Sequence, residues 1–156
     1  MTPFFQDHIN RFLLLGTNFT KADTQTRSRF ALTKSQMALL YKHAAKKGFK
    51  DFLMLSTCNR TEFYVVGTKQ ELQQLLSEEL SVSRQDIDNY FYTLQGKNAA
   101  EHFFKVVSGL DSQIIGDYEI ICQVKASLEE ARKFNLVGTI IDRVANFAFQ
   151  ASKNVK

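Results

Sequence analysis

Cys58 lies in the run Ser56-Thr57-Cys58-Asn59-Arg60-Thr61-Glu62, a polar stretch between two short apolar ones. Structural cysteines usually sit inside apolar elements and behave there as small hydrophobes. A thiol flanked instead by hydroxyl, amide and guanidinium groups is a candidate nucleophile. The thiolate is the reactive form, and a guanidinium turned back onto it, here Arg60, favours that form. The plain alternative is an exposed, unreactive thiol in a tight hairpin, and local chemistry leaves both readings open. Cys122 falls in the middle of an expected helix beside Lys125 and Glu129 and reads as inert.

His102, in Ala99-Ala100-Glu101-His102-Phe103-Phe104, sits about 100–120° from the centre of a Phe103/Phe104/Val107 stripe on a helical wheel. That is a boundary position. An imidazole there can pass a proton near neutral pH, or be an ordinary half-solvated histidine. Gly109-Leu110-Asp111-Ser112 ends one expected helix, and Gly116-Asp117-Tyr118-Glu119 begins the next. Asp117 and Glu119 in a first turn complement the helix dipole. Gln123 follows Glu119 by one turn.

Other chemistries are poorly served. None of the seven glycines falls in a G-x-G-x-x-G or P-loop pattern, so no nucleotide-phosphate cradle is legible. His8, His43 and His102 are scattered, and neither cysteine belongs to a C-x-x-C pair, which argues against zinc.

The elements that must hold these residues follow from periodicity. Phe12-Leu13-Leu14-Leu15-Gly16 reads as a buried strand. Residues 27–47 read as one helix closed by Gly48. Phe52-Leu53-Met54-Leu55 and Thr61–Val66 read as strands joined through the Cys58 loop. Thr68 and Glu71 have capping-box spacing ahead of a helix over 69–80. A short polar helix from Arg84 and a strand from Tyr90 to Leu94 follow. Helices are expected over 98–110, over 117–134, and from about 139 onward. The order β-α-β-β-α-β predicts an α+β fold, a ferredoxin-like sandwich followed by additional C-terminal helices.

Composition agrees with a single folded domain. The chain has 156 residues, 44% apolar and 23% charged, with 14 Phe and 5 Tyr, too many aromatics for disorder. No apolar run approaches membrane-spanning length, and no basic, then apolar, leader opens the chain. Two cysteines cannot build a disulfide framework, so a reducing, cytoplasmic setting is expected. The net charge is +4, and residues 1–50 carry nine Lys/Arg against two acids. That basic third is either a solvated face or a surface for an acidic partner such as RNA.

Together these segments resemble the N-terminal catalytic domain of the glutamyl-tRNA reductase family. The resemblance rests on Leu55-Ser56-Thr57-Cys58-Asn59-Arg60-Thr61-Glu62, on Gly109-Leu110-Asp111-Ser112, and on their separation. Leu15-Gly16-Thr17-Asn18 with Ala22 and Arg27, and Ala151-Ser152-Lys153-Asn154-Val155-Lys156, support it. It implies reduction of the glutamyl ester of a charged tRNA to glutamate-1-semialdehyde with NADPH, the entry to tetrapyrrole (haem) synthesis. It implies that Cys58 attacks the ester to form a thioester, and that His102 serves activity. It maps the glutamate pocket to Thr57, Cys58, Asn59, Arg60, Ser112, Asp117, Tyr118, Glu119 and Gln123, with Arg60 as a carboxylate fork. It implies glutamyl-tRNA as substrate, a homodimer as the whole enzyme, and glutamate-1-semialdehyde aminomutase as the downstream partner. The nicotinamide-binding and dimerisation domains are expected outside this chain, with no metal. Residues 1–138 are then the catalytic domain and 139–156 the start of a connecting spine helix.

The sequence departs from the family pattern at three places. The usual Glu-Pro-Gln is Asp117-Tyr118-Glu119, which alters local charge; the usual Asn-His is Asn18-Phe19; and the usual Ala-Pro is Ala22-Asp23. Two other classes remain as alternatives. One is a non-catalytic ferredoxin-like RNA-binding module, for which Lys47-Gly48-Phe49-Lys50-Asp51-Phe52 loosely fits an RNP1 string but enters the wrong strand. The other is a small regulatory domain, which leaves the Cys58 loop unexplained.

Overall fold

A computed structural model describes residues 3–111 and 119–155. The elements in order are α1 (Pro3–Ile9), β1 (Phe12–Asn18), α2 (Thr24–Phe30), α3 (Lys34–Lys46), β2 (Phe52–Ser56), β3 (Arg60–Val66), α4 (Lys69–Glu79), α5 (Arg84–Tyr90), β4 (Tyr92–Gln95), α6 (Lys97–Val107), α7 (Glu119–Lys133) and α8 (Thr139–Val155). The four strands form one antiparallel sheet in the order β2-β3-β1-β4. The fold is therefore α+β. Among the described residues no helix is long and apolar enough to cross a membrane.

The two central strands are buried along nearly their whole length, as strands covered on both faces must be. Side chains alternate across the pleat. Arg60, Glu62 and Tyr64 therefore share one face, and Thr61, Phe63 and Val65 the other. On the first face Phe103 of α6 meets Tyr64 edge-on, with ring centroids 4.9 Å apart. On the second face Phe63 packs near Phe52, whose ring meets Tyr41 of α3. The Tyr41 hydroxyl accepts from the Met54 backbone N–H at 3.0 Å, satisfying one donor on the edge strand β2.

The expected single helix over 27–47 is two helices, broken at 31–33. Thr33 and Gln36 form a capping box that starts α3 afresh, and the Leu32 N–H donates to Ser56 Oγ at 3.1 Å. The capping box and this bond to β2 replace the helical ladder there. The short α1 was not anticipated, and Tyr90 ends α5 rather than opening a strand. The Thr68–Glu71 capping box forms, and Gly48 takes φ +95° just past α3. In α7 the stripe Ile120, Val124, Leu128, Ala131 is buried as its spacing predicts. Helix α6 ends at Val107, so Leu110 lies beyond it and is exposed.

Helix α8 begins in an unusual way. Its N-terminal residue cap is Gly138, whose carbonyl accepts from the Asp142 N–H at 3.0 Å but which has no side chain to cap with. Asp51, on the β2 side, supplies the missing acceptor: its Oδ1 takes the Ile141 N–H at 2.9 Å. A Cβ on Gly138 would fall 2.5 Å from Asp51 Oδ2, so the close approach requires glycine. Burial raises the Asp51 carboxyl above its ordinary value, and the N–H groups of Ile141 and Gly138 partly offset this. Asp51→Ala is expected to cost about 0.5–2 kcal/mol, the range for a lost helix cap, read as a lower denaturant midpoint. Asp51→Asn, which keeps an acceptor, is expected to retain most of the stability.

Candidate functional site

The hairpin between β2 and β3 is tight because the strands are in register to its tip. Leu55 pairs with Glu62 and Ser56 with Thr61. The Thr57 N–H donates to the Arg60 carbonyl at 2.8 Å, and the Asn59 N–H to Thr57 Oγ1 at 3.2 Å. Cys58 and Asn59 are left at the turn, with Cys58 exposed. From the side, Arg27 of α2 donates Nε to the Cys58 carbonyl at 3.4 Å and Nη1 to the Ala22 carbonyl at 2.8 Å. The thiol thus rides on a loop fixed by its own backbone and by a guanidinium, the usual way a rigid scaffold presents a reactive group.

A small cleft of about 90 Å3 gathers Thr57, Cys58, Asn59 and Arg60 from the hairpin with Glu119, Ile120 and Gln123 from the start of α7. Six of the sequence-identified candidates therefore meet at one place. Ser112, Asp117 and Tyr118 lie outside the described residues. A larger hollow, of about 440 Å3, is elsewhere, lined by Arg11, Lys47, Lys50 and Asp51 among others. It adjoins the start of β1 and the end of β3, away from the hairpin, and contains no nucleophilic thiol.

Behind the hairpin lies a buried polar cluster that sequence reasoning did not assemble. Arg60, anticipated as a fork open to a substrate carboxylate, has a side chain only 1% exposed and is already engaged. Its Nη1 lies 2.9 Å from Asp111 Oδ2 and 3.5 Å from Glu62 Oε2, and its Nη2 donates to the Asp111 carbonyl at 2.5 Å. A substrate carboxylate would have to displace Asp111 to use the fork. Glu62, fully buried, also accepts from Tyr64 at 2.7 Å and from Tyr92, and pairs with His102 Nε2 at 2.6 Å. His102 lies 3.9 Å from Asp111 Oδ2 through the same nitrogen.

The electrostatics follow from this packing. Burial alone would raise the Glu62 carboxyl, but the His102 hydrogen bond and the Arg60 charge outweigh it and hold the carboxyl below its ordinary value. Burial and the Glu62 charge hold the Tyr64 and Tyr92 phenols well above theirs, so both stay protonated and donate. A sequence signal for the cluster existed. Arg60, Glu62 and Tyr64 alternate with Thr61, Phe63 and Val65, so one face of a central strand carries three polar groups that must find partners.

Among the described residues no group of three or more His, Cys, Asp and Glu is placed to hold a metal ion. Nor do the described glycines make a dinucleotide cradle. Gly67 and Gly96 each join a strand to a helix, singly and in an antiparallel sheet rather than a doubly wound one. Both cysteines are exposed, so exposure does not separate them, but only Cys58 sits on a hairpin loop whose backbone a guanidinium, that of Arg27, holds. Limited iodoacetamide at neutral pH is expected to label Cys58 well before Cys122, as read by peptide mass mapping. Earlier labelling of Cys122 would remove the case for an activated thiol at 58.

Comparison with known proteins places the chain among relatives of one family. Residues 15–156 match the family model of the glutamyl-tRNAGlu reductase N-terminal domain. A glutamyl-tRNA reductase of Christiangramia forsetii is 38% identical over 153 residues, covering 96% of this chain and 37% of that protein. One from Aquifex aeolicus is 31% identical over 154 residues, covering 95% and 37%. The glutamyl-tRNA reductase structure from Methanopyrus kandleri superposes with a TM-score of 0.72 at 20% identity, over 93% of this chain and 35% of that one, a likeness of fold. The chain spans little more than a third of the length of these relatives. On the match over residues 15–156, the chain belongs to the family of the glutamyl-tRNA reductase N-terminal domain.

Proposed function

We propose that this chain performs the acyl-transfer half of a glutamyl-tRNA reductase, with Cys58 as nucleophile. One observation carries the reading: an exposed thiol at the tip of a braced hairpin, sharing a cleft with Thr57, Asn59, Arg60, Glu119 and Gln123. The Cys58 sulfur, as thiolate, attacks the ester carbonyl carbon of glutamyl-tRNA. A C–S bond forms, the C–O bond to the terminal ribose breaks, and the ribose oxygen leaves with a proton. His102 is the candidate proton-handling group. Thr57, Asn59, Glu119 and Gln123 are the candidate contacts for the ammonium and carboxylate of the glutamyl group, together with Ser112, Asp117 and Tyr118. Arg60 acts from behind, by holding the hairpin to Asp111.

The reductant implied for the whole enzyme is NADPH. The described residues hold no fitting cradle for it, so its place is proposed to lie outside residues 1–156. In the same reading 1–138 are the catalytic domain and 139–156 begin a connecting spine. The site is cytoplasmic, the whole enzyme is a homodimer, and its aldehyde product passes to glutamate-1-semialdehyde aminomutase. The sheet is proposed to be a ferredoxin-like core, supported by its antiparallel β2-β3-β1-β4 order. The test is to mix this chain with tRNA charged with labelled glutamate, quench in acid, and map the label. A glutamyl adduct on the Cys58 peptide is expected. Label released at the uncatalysed rate, with no adduct, would refute the reading.

A further inference from the structure

Glu62 is the most heavily engaged side chain at the site, yet it does not line the cleft. It sits in a lateral row across the sheet: Leu55 on β2, Glu62 on β3, Gly16 on β1 and Tyr92 on β4. The gap at Gly16 is what admits it. A Cβ at position 16 would fall 2.7 Å from Glu62 Cγ and 3.2 Å from the Thr61 carbonyl. The carboxylate thus lies over the glycine and meets groups from three elements. These are Arg60 and Tyr64 on its own strand, Tyr92 on β4, and His102 on α6, with Asp111 just past α6 as the nearest further acid.

The identity of each partner fixes where the protons are. An ionised carboxylate only accepts, and Glu62 is held ionised. Every group bonded to it must therefore donate: the two phenols, the Arg60 guanidinium, and His102 through Nε2. A neutral imidazole has one N–H. If that hydrogen is on Nε2, bonded to Glu62, then Nδ1 carries the lone pair. The same fixing of a histidine by a buried carboxylate on its other nitrogen is what keeps a catalytic imidazole in one tautomer and orientation.

We propose that Glu62 is a positioning residue: it holds His102 in the Nε2–H tautomer, leaving Nδ1 as the proton acceptor for acyl transfer at Cys58. Gly16 and Tyr92 serve the same arrangement, the first by leaving room and the second by occupying the Glu62 oxygen that His102 shares. The kinetic consequence rests on the acyl-transfer reading given above; the tautomer itself does not. Because Glu62 acts through His102, removing both should cost no more than removing His102.

The test has two arms. In the first, the chain is labelled with 15N at the histidine ring nitrogens, and His102 is followed to alkaline pH. The expected spectrum has a pyrrole-like Nε2 and a pyridine-like Nδ1. In Glu62→Gln, whose amide can donate as well as accept, the single-tautomer pattern is expected to be lost. A wild-type His102 with its hydrogen on Nδ1 would overturn the proposal without any variant, so a Glu62→Gln chain that failed to fold would not shelter it. In the second arm, Cys58 acylation by glutamyl-tRNA is timed against pH for wild type, Glu62→Gln, His102→Ala and the double variant. Glu62→Gln is expected to be slower by about 10²–10⁴-fold, as for a misplaced proton-transfer group, with an altered pH profile. The double variant is expected to match His102→Ala. Multiplicative losses in the double variant, or a Glu62→Gln profile parallel to wild type, would mean that Glu62 only supports the fold. Absence of any wild-type adduct would refute the acyl-transfer reading instead, and the NMR arm alone would then decide whether Glu62 holds His102.

Discussion

Cys58→Ser is expected to abolish glutamyl transfer from charged tRNA, a loss on the order of 10⁴–10⁶-fold, the scale seen when a covalent nucleophile is removed. Oxygen replaces sulfur at nearly the same position, so the loss reports chemistry rather than shape. A hydroxyl is protonated at neutral pH and needs a dedicated base to attack. Among the described residues no side chain hydrogen-bonds the Cys58 sulfur, so a hydroxyl there has no base already in contact with it. Cys58 is exposed, so the substitution should shift stability by no more than about 0.5 kcal/mol. His102→Ala is expected to slow transfer less, by about 10²–10⁴-fold, because a thiol retains some reactivity without help. The measurements are trapped adduct and released glutamate. Equal release by wild type and Cys58→Ser, with no adduct in either, would remove Cys58 from the mechanism.

The parts of this fold that local sequence encodes were legible. The Thr68–Glu71 capping box and the Ile120–Ala131 stripe each depend on residues within a turn or two of one another, and both formed as read. The hairpin could be placed because a polar loop interrupted two apolar runs. The failures share a different cause. The break at 31–33 is fixed partly by Ser56, 24 residues away in sequence, accepting from the Leu32 N–H. The cap on α8 comes from Asp51, 90 residues before its partner Ile141. Arg60 looked like an open fork because nothing near it in sequence reveals Asp111 beneath the hairpin. The site shows the same split. Cys58 and its flanking residues could be read directly, whereas the Glu62–His102–Tyr92 contact joins β3, α6 and β4 and exists only after the sheet has closed. Strand alternation carried an unused signal, since it puts Arg60, Glu62 and Tyr64 on one face. What it could not supply was the glycine on the adjacent strand that makes room for the carboxylate.

Arg60→Met is expected to lower stability by about 3–5 kcal/mol at neutral pH, the usual cost of breaking a buried pair by deleting one partner. Against a total of about 5–15 kcal/mol for an ordinary domain, that threatens folding at moderate temperature. The methionine fills much of the volume, so the loss is electrostatic. The Glu62 charge, with a side chain 0% exposed, keeps its phenol and imidazole donors but loses its guanidinium, and Asp111 loses both of its bonds to Arg60. Arg60→Lys should recover only part of the loss, because one ammonium cannot span Glu62 and both Asp111 oxygens as the planar fork does. Acid provides the sign. Burial pushes the Glu62 carboxyl up, but His102 and Arg60 more than reverse this, so its folded value lies below the ordinary 4.5. A carboxyl depressed in the folded state contributes stability that is complete above the unfolded value and fades as pH falls through the folded one. In Arg60→Met one depressing influence is gone while those of His102 and Tyr92 remain, burial is less opposed, and that contribution shrinks. The gap in urea midpoint between wild type and Arg60→Met should therefore be widest near pH 7 and narrow steadily below pH 4.5. A gap that stays constant from pH 7 to pH 3 would assign Arg60 a packing role and leave the Glu62 charge balanced by the tyrosines and His102 alone.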